Sequence, residues 1–275
     1  MEKRKKGHIK ERVGRRSNYK PGNGPGGQEK PEIVFGTRAI IETIHAGKEI
    51  EKLLIQKGLG NELTRQLLQL AGDHAVPVIR VPLQKLNGIT RKNHQGAVCF
   101  LSAIRYASLD HVVTSCFEQG RSPLLVMLDR ITDVRNFGAI ARTAECAGVD
   151  AIIIPSKGSA QITGDAMKTS AGALNFIPIC REGNMKDTIR YLRDSGIDVV
   201  ACTERAGDYL YEKDLEQPLA LLMGSEENGI SPEYLKLSSS QARIPMKGKI
   251  GSLNVSVATA VAIYEAVRQR TTSGT

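Results

Sequence analysis

From Leu124 onward the chain alternates short, nearly unbroken apolar runs with stretches of helical character, and few folds accommodate that rhythm. Strands are expected at Leu124–Leu128, Ala151–Ile154, Phe176–Ile179, Val199–Cys202, Leu219–Met223 and Ala242–Ile244. Helices are expected at Gly138–Cys146, around Gly164–Ser170, at Met185–Arg193 and over roughly Asn254–Arg268. Apolar strands alternating with helices imply an α/β fold whose parallel sheet is covered on both faces. Ligands of such sheets bind beyond the carboxyl ends of the strands. The sequence places Asp129–Asn136, Thr203-Glu204, Gly224–Gly229 and Pro245–Asn254 there.

A smaller α/β module precedes this unit. Residues 32–105 hold expected strands at Ile33–Phe35, Leu53–Gln56, Val78–Val81 and Ala97–Ser102, with helices from Thr37 to Gly47 and over Glu62–Ala71. Residues 106–122 read as a linker with a helix in it, and 123–275 as the larger domain. Residues 1–31 carry ten Lys/Arg against three Glu, a surplus of seven in a chain of net charge +9, which leaves +2 for the other 244 residues. With almost nothing apolar to bury, this basic tail is expected to be disordered alone, and its charge suits a polyanion such as RNA. The run Gly22-Asn-Gly24-Pro-Gly-Gly27 within it spells a dinucleotide-binding motif but lacks the preceding strand and following helix that give that motif meaning.

Several classes fall away on composition. No apolar run approaches the roughly 20 residues of a membrane span, and the N-terminus lacks the apolar core of a signal peptide. Five widely spaced cysteines (Cys99, Cys116, Cys146, Cys180, Cys202) without a C-x-x-C pair argue against both a disulfide framework and a metal site. A cytoplasmic protein without metal or membrane is the expectation. The last of five histidines is His111, so chemistry in the larger domain proceeds without the commonest acid–base group.

The candidate site residues lie in three turns. After the first strand of the larger domain comes Asp129-Arg-Ile-Thr-Asp133-Val-Arg135-Asn136-Phe-Gly138, with Arg142 one turn into the helix. Asn136 and Gly138 stand at a helix start, a position receptive to anions. Arg142 points back over the strand ends or pairs with Glu145 on the helix surface. Gly224-Ser-Glu226-Glu227-Asn228-Gly229 follows a strand directly, Gly224 permitting close backbone approach and Gly229 a positive φ. Glu226 is the acid expected to be held inward, Glu227 the one on the surface. Ser252 and Asn254 open the last helix, where N-capping accounts for one of them.

These residues resemble a known family. Asn136-x-Gly138-x-x-x-Arg142-Thr-Ala, Leu-Met-Gly224-Ser-Glu226-x-x-Gly229, and Ile244-Pro-Met246 with Ser252-Leu-Asn254-Val-Ser-Val-Ala are similar to the three ordered motifs of the SpoU/TrmH ribose methyltransferases of the SPOUT superfamily. Val34-Phe-Gly36 to His94-Gln95-Gly96 looks like the small ribosomal-protein-like RNA-binding domain of the branch that methylates a guanosine 2′-hydroxyl in 23S rRNA. The resemblance implies a deep trefoil knot, where residues alone suggest an open doubly wound sheet. It also implies a homodimer whose site is completed across the interface, and S-adenosylmethionine as cofactor. On that pattern Gly224, Ile244 and Leu253 bind the cofactor, with Met223 and Met246 packing its adenine. Asn136, Arg142, Glu226, Ser252 and Asn254 form the catalytic set. The family's proposal makes the matching arginine the proton acceptor. A guanidinium stays protonated in proteins, so phosphate binding and alkoxide stabilisation suit Arg142 better, with substrate phosphate or Glu226 relaying the proton. The rivals are a TrmH-type tRNA methyltransferase and a non-catalytic rRNA-binding assembly factor.

Overall fold

The structure, a computed structural model, describes residues 32–272. The basic segment 1–31, with its glycine-rich run, lies outside them. Two sheets build the described chain. The first takes β1 (Ile33–Phe35), α1 (Thr37–His45), β2 (Ile50–Gln56), α2 (Glu62–Asp73), β3 (Val78–Val81), α3 (Leu83–Ile89) and β4 (Ala97–Leu101), in strand order β1-β4-β2-β3. Thr37 is the first helical residue of α1, and the helix stops at His45. Gly36 holds the cap position at φ 91°, where a side chain is disfavoured.

The second sheet starts after α4 (Leu109–Glu118). It comprises β5 (Leu124–Leu128), α5 (Val134–Cys146), β6 (Ala151–Pro155), α6 (Gly164–Thr169), β7 (Ile179–Glu182), α7 (Met185–Asp194), β8 (Asp198–Cys202), β9 (Leu219–Met223), α8 (Pro232–Leu237), β10 (Ser240–Ala242) and α9 (Val255–Thr272). Its order is β10-β8-β9-β5-β6-β7, and every pairing is parallel. The apolar strands are explained by two cores. Leu124, Val126 and Leu128 face one cluster with Phe137, Ile140 and Ile263 from α5 and α9. Leu125 and Met127 face the other, with Leu109, Val113, Ile189 and Leu192 from α4 and α7. The segment expected as a linker thus supplies a packed helix.

Several boundaries differ from expectation, three of them for a clear local reason. α5 begins at Val134, because the Asp133 side chain accepts from Arg135 N at 2.7 Å and caps the helix. β7 begins at Ile179, since Pro178 has no N–H for the ladder and Phe176 is 76% exposed beside a 3₁₀ turn at Ala173–Asn175. β10 ends at Ala242, because Arg243 pairs its backbone with Asp208 and Leu210 instead, and Ile244 leaves the sheet. The short helices α3 and α8 escaped the periodicity, α8 burying no residue at all.

A bulge joins the two units. The register between β2 and β4 shifts between Ile50 and Lys52, leaving Glu51 unpaired and re-aimed. The Glu51 carboxylate, 8% exposed, accepts from the Tyr106 hydroxyl and from Ile162 N at 3.2 Å. Arg181 stacks 4.0 Å over the Tyr106 ring and donates to Ile50 O at 2.9 Å.

Candidate active site

The carboxyl ends of β8 and β9, beside the point where the strand order reverses, open into a cleft of about 580 Å³. Its walls are Cys202–Arg205, Met223–Ile230, Ile244, Met246 and Gly251–Val255. Burial pushes the Cys202 thiol up to about 12, so it stays protonated at neutral pH and is no nucleophile.

Gly224 explains why the second turn is built as it is. A Cβ there would lie 2.2 Å from Gly229 C and 2.3 Å from Ile230 N. The close approach lets Ser225 and Gly229 exchange both backbone hydrogen bonds, 2.8 and 3.2 Å, with Gly229 at φ 63°. Asp129 then braces this loop from the end of β5. Its carboxylate, 1% exposed, accepts from Ser231 N and Oγ, both at 2.7 Å, and from Arg130 Nε at 2.8 Å. Arg130 also donates to Gly229 O at 3.3 Å. Asp129 is not among the candidate site residues the motifs single out; an acid ending a fully apolar strand is the signal that marks it, since buried carboxylates need partners.

Asn254 is the junction of the three motifs. Its Oδ1 caps α9 by accepting from Ser256 N at 2.9 Å and Ser256 Oγ at 2.6 Å. Its Nδ2 donates to Asn136 Oδ1 at 3.0 Å and to Glu226 Oε1, which also accepts from Val255 N at 3.4 Å. The capping and site readings of Asn254 therefore share one side chain. Glu226 and Glu227 are both exposed, and of the two only Glu226 joins this network. Ser252 lines the cleft with Met223, Gly224, Ile244, Met246 and Leu253.

Arg142 stands apart. It is exposed on α5, does not line the cleft, and pairs neither with Glu145 nor with any other described residue. Gly138 also changes meaning. It sits in the second turn of α5, where a Cβ would lie 2.2 Å from Thr169 Oγ1 and 2.8 Å from the Thr169 backbone. It permits α5 and α6 to pack; the anion-receptive start of the helix is four residues earlier.

The cleft suits an adenosyl cofactor. Met246 and Leu253, each 37% exposed, and Ile244 offer apolar faces for a purine. Loop backbone offers groups for ribose, Gly224 lets the 224–229 turn fold tightly along the cleft wall, and Glu226 favours a cation. The volume lies in the range of small-molecule sites. Among the described residues no group of His, Cys, Asp or Glu is placed to hold a metal ion, and no helix is long and apolar enough to cross a membrane.

This is the class of a two-domain α/β protein with a nucleotide-sized cleft at the switch point of its larger sheet. Residues 123–264 match the SpoU rRNA Methylase family, and residues 33–107 match the RNA 2′-O ribose methyltransferase substrate-binding family. A protein of Staphylococcus saprophyticus named as a TrmH family tRNA/rRNA methyltransferase is 35% identical over 239 residues, covering 86% of this chain and 96% of its own. The SpoU methyltransferase AviRb from Streptomyces viridochromogenes, solved with S-adenosylmethionine, aligns at TM-score 0.55 and 27% identity over 87% of this chain and 90% of its own. An S-adenosylmethionine-bound rRNA methyltransferase from Sinorhizobium meliloti aligns at TM-score 0.53 and 28% identity over 86% of both. The chain belongs to the SpoU/TrmH family of RNA methyltransferases, and its cofactor is S-adenosylmethionine.

Proposed function

We propose that the protein methylates a ribose 2′-hydroxyl, that of a guanosine in 23S rRNA, and that it works as a homodimer. The observation that carries the ribose reading is the Asn136–Asn254–Glu226 network at the cleft, which joins all three motifs without a histidine or a metal. Bound in the cleft, the cofactor supplies a methyl on a sulfonium, so the leaving group is already activated. The residues are left with placement and charge. Asn254, held by its cap bonds, fixes Asn136 and Glu226 to orient the ribose, and the Ser252 hydroxyl lies along the same wall. Arg142, permanently cationic, binds the neighbouring phosphate and stabilises the developing alkoxide. The proton of the 2′-hydroxyl leaves through Glu226 or the substrate phosphate as the O–CH₃ bond forms.

Arg142 lies outside its own chain's cleft, which suits a site completed by a second copy. α9 offers a surface for that copy, with Val257 48% and Tyr264 50% exposed at an i, i+7 spacing. The reading includes a trefoil knot: the segments at 224–229 and 245–254 meet at one cleft although the edge strand β10 separates them. It also assigns 32–105 to substrate binding, 123–275 to catalysis, and 1–31 to RNA contact.

The test is transfer of label from S-adenosylmethionine to total RNA of a strain lacking the protein, followed by mapping of ribose methylation. Label on a guanosine of 23S rRNA is expected. Label in tRNA would overturn the substrate, and cofactor binding without any transfer would favour an assembly factor.

A further inference from the structure

Between Asp73 and Asp110 the sequence holds no acidic residue, yet it holds Arg80, Lys85, Arg91, Lys92 and Arg105. Lys85 and Lys92, on α3 and just after it, lie with Lys52 toward one face of the first sheet. The opposite face packs on α1 and α2. On the near face α3 covers β2 and β3, burying Leu54, Val81, Leu86 and Val98. The β1–β4 half is left open, and Ile33, Phe35 and Phe100 are only partly buried.

The ladder sets Ile33 opposite Phe100 and Phe35 opposite Val98, so the two phenyl rings are diagonal neighbours on one face. Each ring carries a lysine. Lys52, opposite Phe100 on β2, holds Nζ 4.4 Å from that ring's centroid, and Lys92 Nζ lies 5.6 Å from the Phe35 centroid. Burial lowers the Lys52 pKa; Glu51 opposes the effect and Lys85 adds to it, so a further anion here is favoured.

We propose that this Phe35–Phe100 strip, with Lys52, Lys85 and Lys92, holds an unpaired, single-stranded segment of the RNA substrate. The proposal rests on the RNA methyltransferase reading and names the face and the form of the RNA. Open aromatic faces on a four-stranded sheet stack unpaired bases, while lysines meet the phosphates between them. A base-paired helix keeps its base faces stacked internally and gains nothing from the rings. A protein partner would use the same apolar rings, but Lys52, Lys85 and Lys92 around them select a polyanion.

The test uses the full chain and a short fluorescein-labelled oligouridylate, with an RNA hairpin as competitor. The paired change Lys52→Gln with Lys92→Gln weakens oligouridylate binding by roughly tenfold and flattens its salt dependence. Phe100→Leu, which keeps an apolar side chain, weakens it by about fivefold, and Phe100→Tyr restores it. S-adenosylmethionine affinity stays unchanged in all three, and KM for RNA rises in the first two. Oligouridylate affinity within twofold of the parent in the lysine variant overturns the proposal. So does a hairpin that competes as well as the single strand, or intact RNA affinity with lost binding to a protein component of the ribosome. Failure of the 23S assignment would be read from the methylation map and leaves the binding comparison standing.

Discussion

The two ends of the six-stranded sheet use arginine in opposite ways. At the amino ends of the strands Arg270, on the last turns of α9, donates to Ser122 O at 2.9 Å, Pro123 O at 3.1 Å, Leu215 O at 3.0 Å and Gln217 O at 2.6 Å. Burial lowers its pKa, yet four carbonyls take up its donors. Arg142, in the third turn of α5, the helix that leaves the carboxyl end of β5, is exposed and pairs with no described residue. One guanidinium closes the strand-entry loops; the other, on the role proposed for it, keeps its donors for a ligand. A stable end and a receptive end are thus separated across one sheet, and the glycine and carboxylate devices sit at the receptive one.

The sharpest way to break this contrast is to remove each arginine. On the role proposed for it, Arg142→Ala lowers kcat by about 10²–10³-fold while S-adenosylmethionine affinity and Tm stay at parental values. Calorimetry showing a large loss of cofactor binding would sink that role. Arg270→Ala leaves the four carbonyls without their shared donor and costs about 3 kcal/mol, a fall in Tm of roughly 10 °C. Scanning calorimetry reads it directly, and an unchanged Tm would erase the distinction between the two ends.

Gly224→Ala sharpens the comparison from the cleft side. The added methyl meets backbone at 2.2 Å, which no side-chain rotation relieves. Overpacking of about 2 kcal/mol displaces the loop that lines the cleft, so S-adenosylmethionine affinity falls by about thirtyfold while the fold survives. Titration calorimetry showing parental affinity would mean that the 224–229 turn does not shape the site.

The contrast also separates what the residues announce from what they hide. β5 and β9 are legible because Leu124–Leu128 and Leu219–Met223 are buried on both faces, leaving an unbroken apolar run. The three motif turns are legible because glycines and polar residues at strand ends have few other uses. The start of α5 is obscured because Arg135 and Asn136 follow the Asp133 cap and read as loop. The Arg270 bracket is invisible because its partners are carbonyls, which every residue has, 53 to 148 positions away. Asn254 bridging Asn136 across 118 residues is equally beyond spacing, and only the resemblance of the motifs brought the two together beforehand.

The smallest expected effect tests whether charge, as well as hydrogen bonding, stabilises the closed end. Glu265, 9% exposed on α9, accepts from Arg268 Nη2 at 2.7 Å, Arg268 Nε at 2.9 Å and Gln269 Nε2 at 2.8 Å. The Arg268 hydrogen bonds hold its carboxyl below the usual carboxylate range. A depressed folded-state pKa means stability that is fully present above the unfolded value, near 4.5, and lost as pH falls through the folded one. Glu265→Gln keeps one acceptor and the packing, so at pH 7 it costs below about 1 kcal/mol, because Arg268 is largely exposed and the pair is solvent-screened. Denaturant titrations at stepped pH should show the variant and parent converging as pH falls below the normal carboxylate range. A deficit that is independent of pH would assign the stabilisation to hydrogen-bond geometry alone, and the closed end would then owe its stability to saturated carbonyls with no contribution from ionisation.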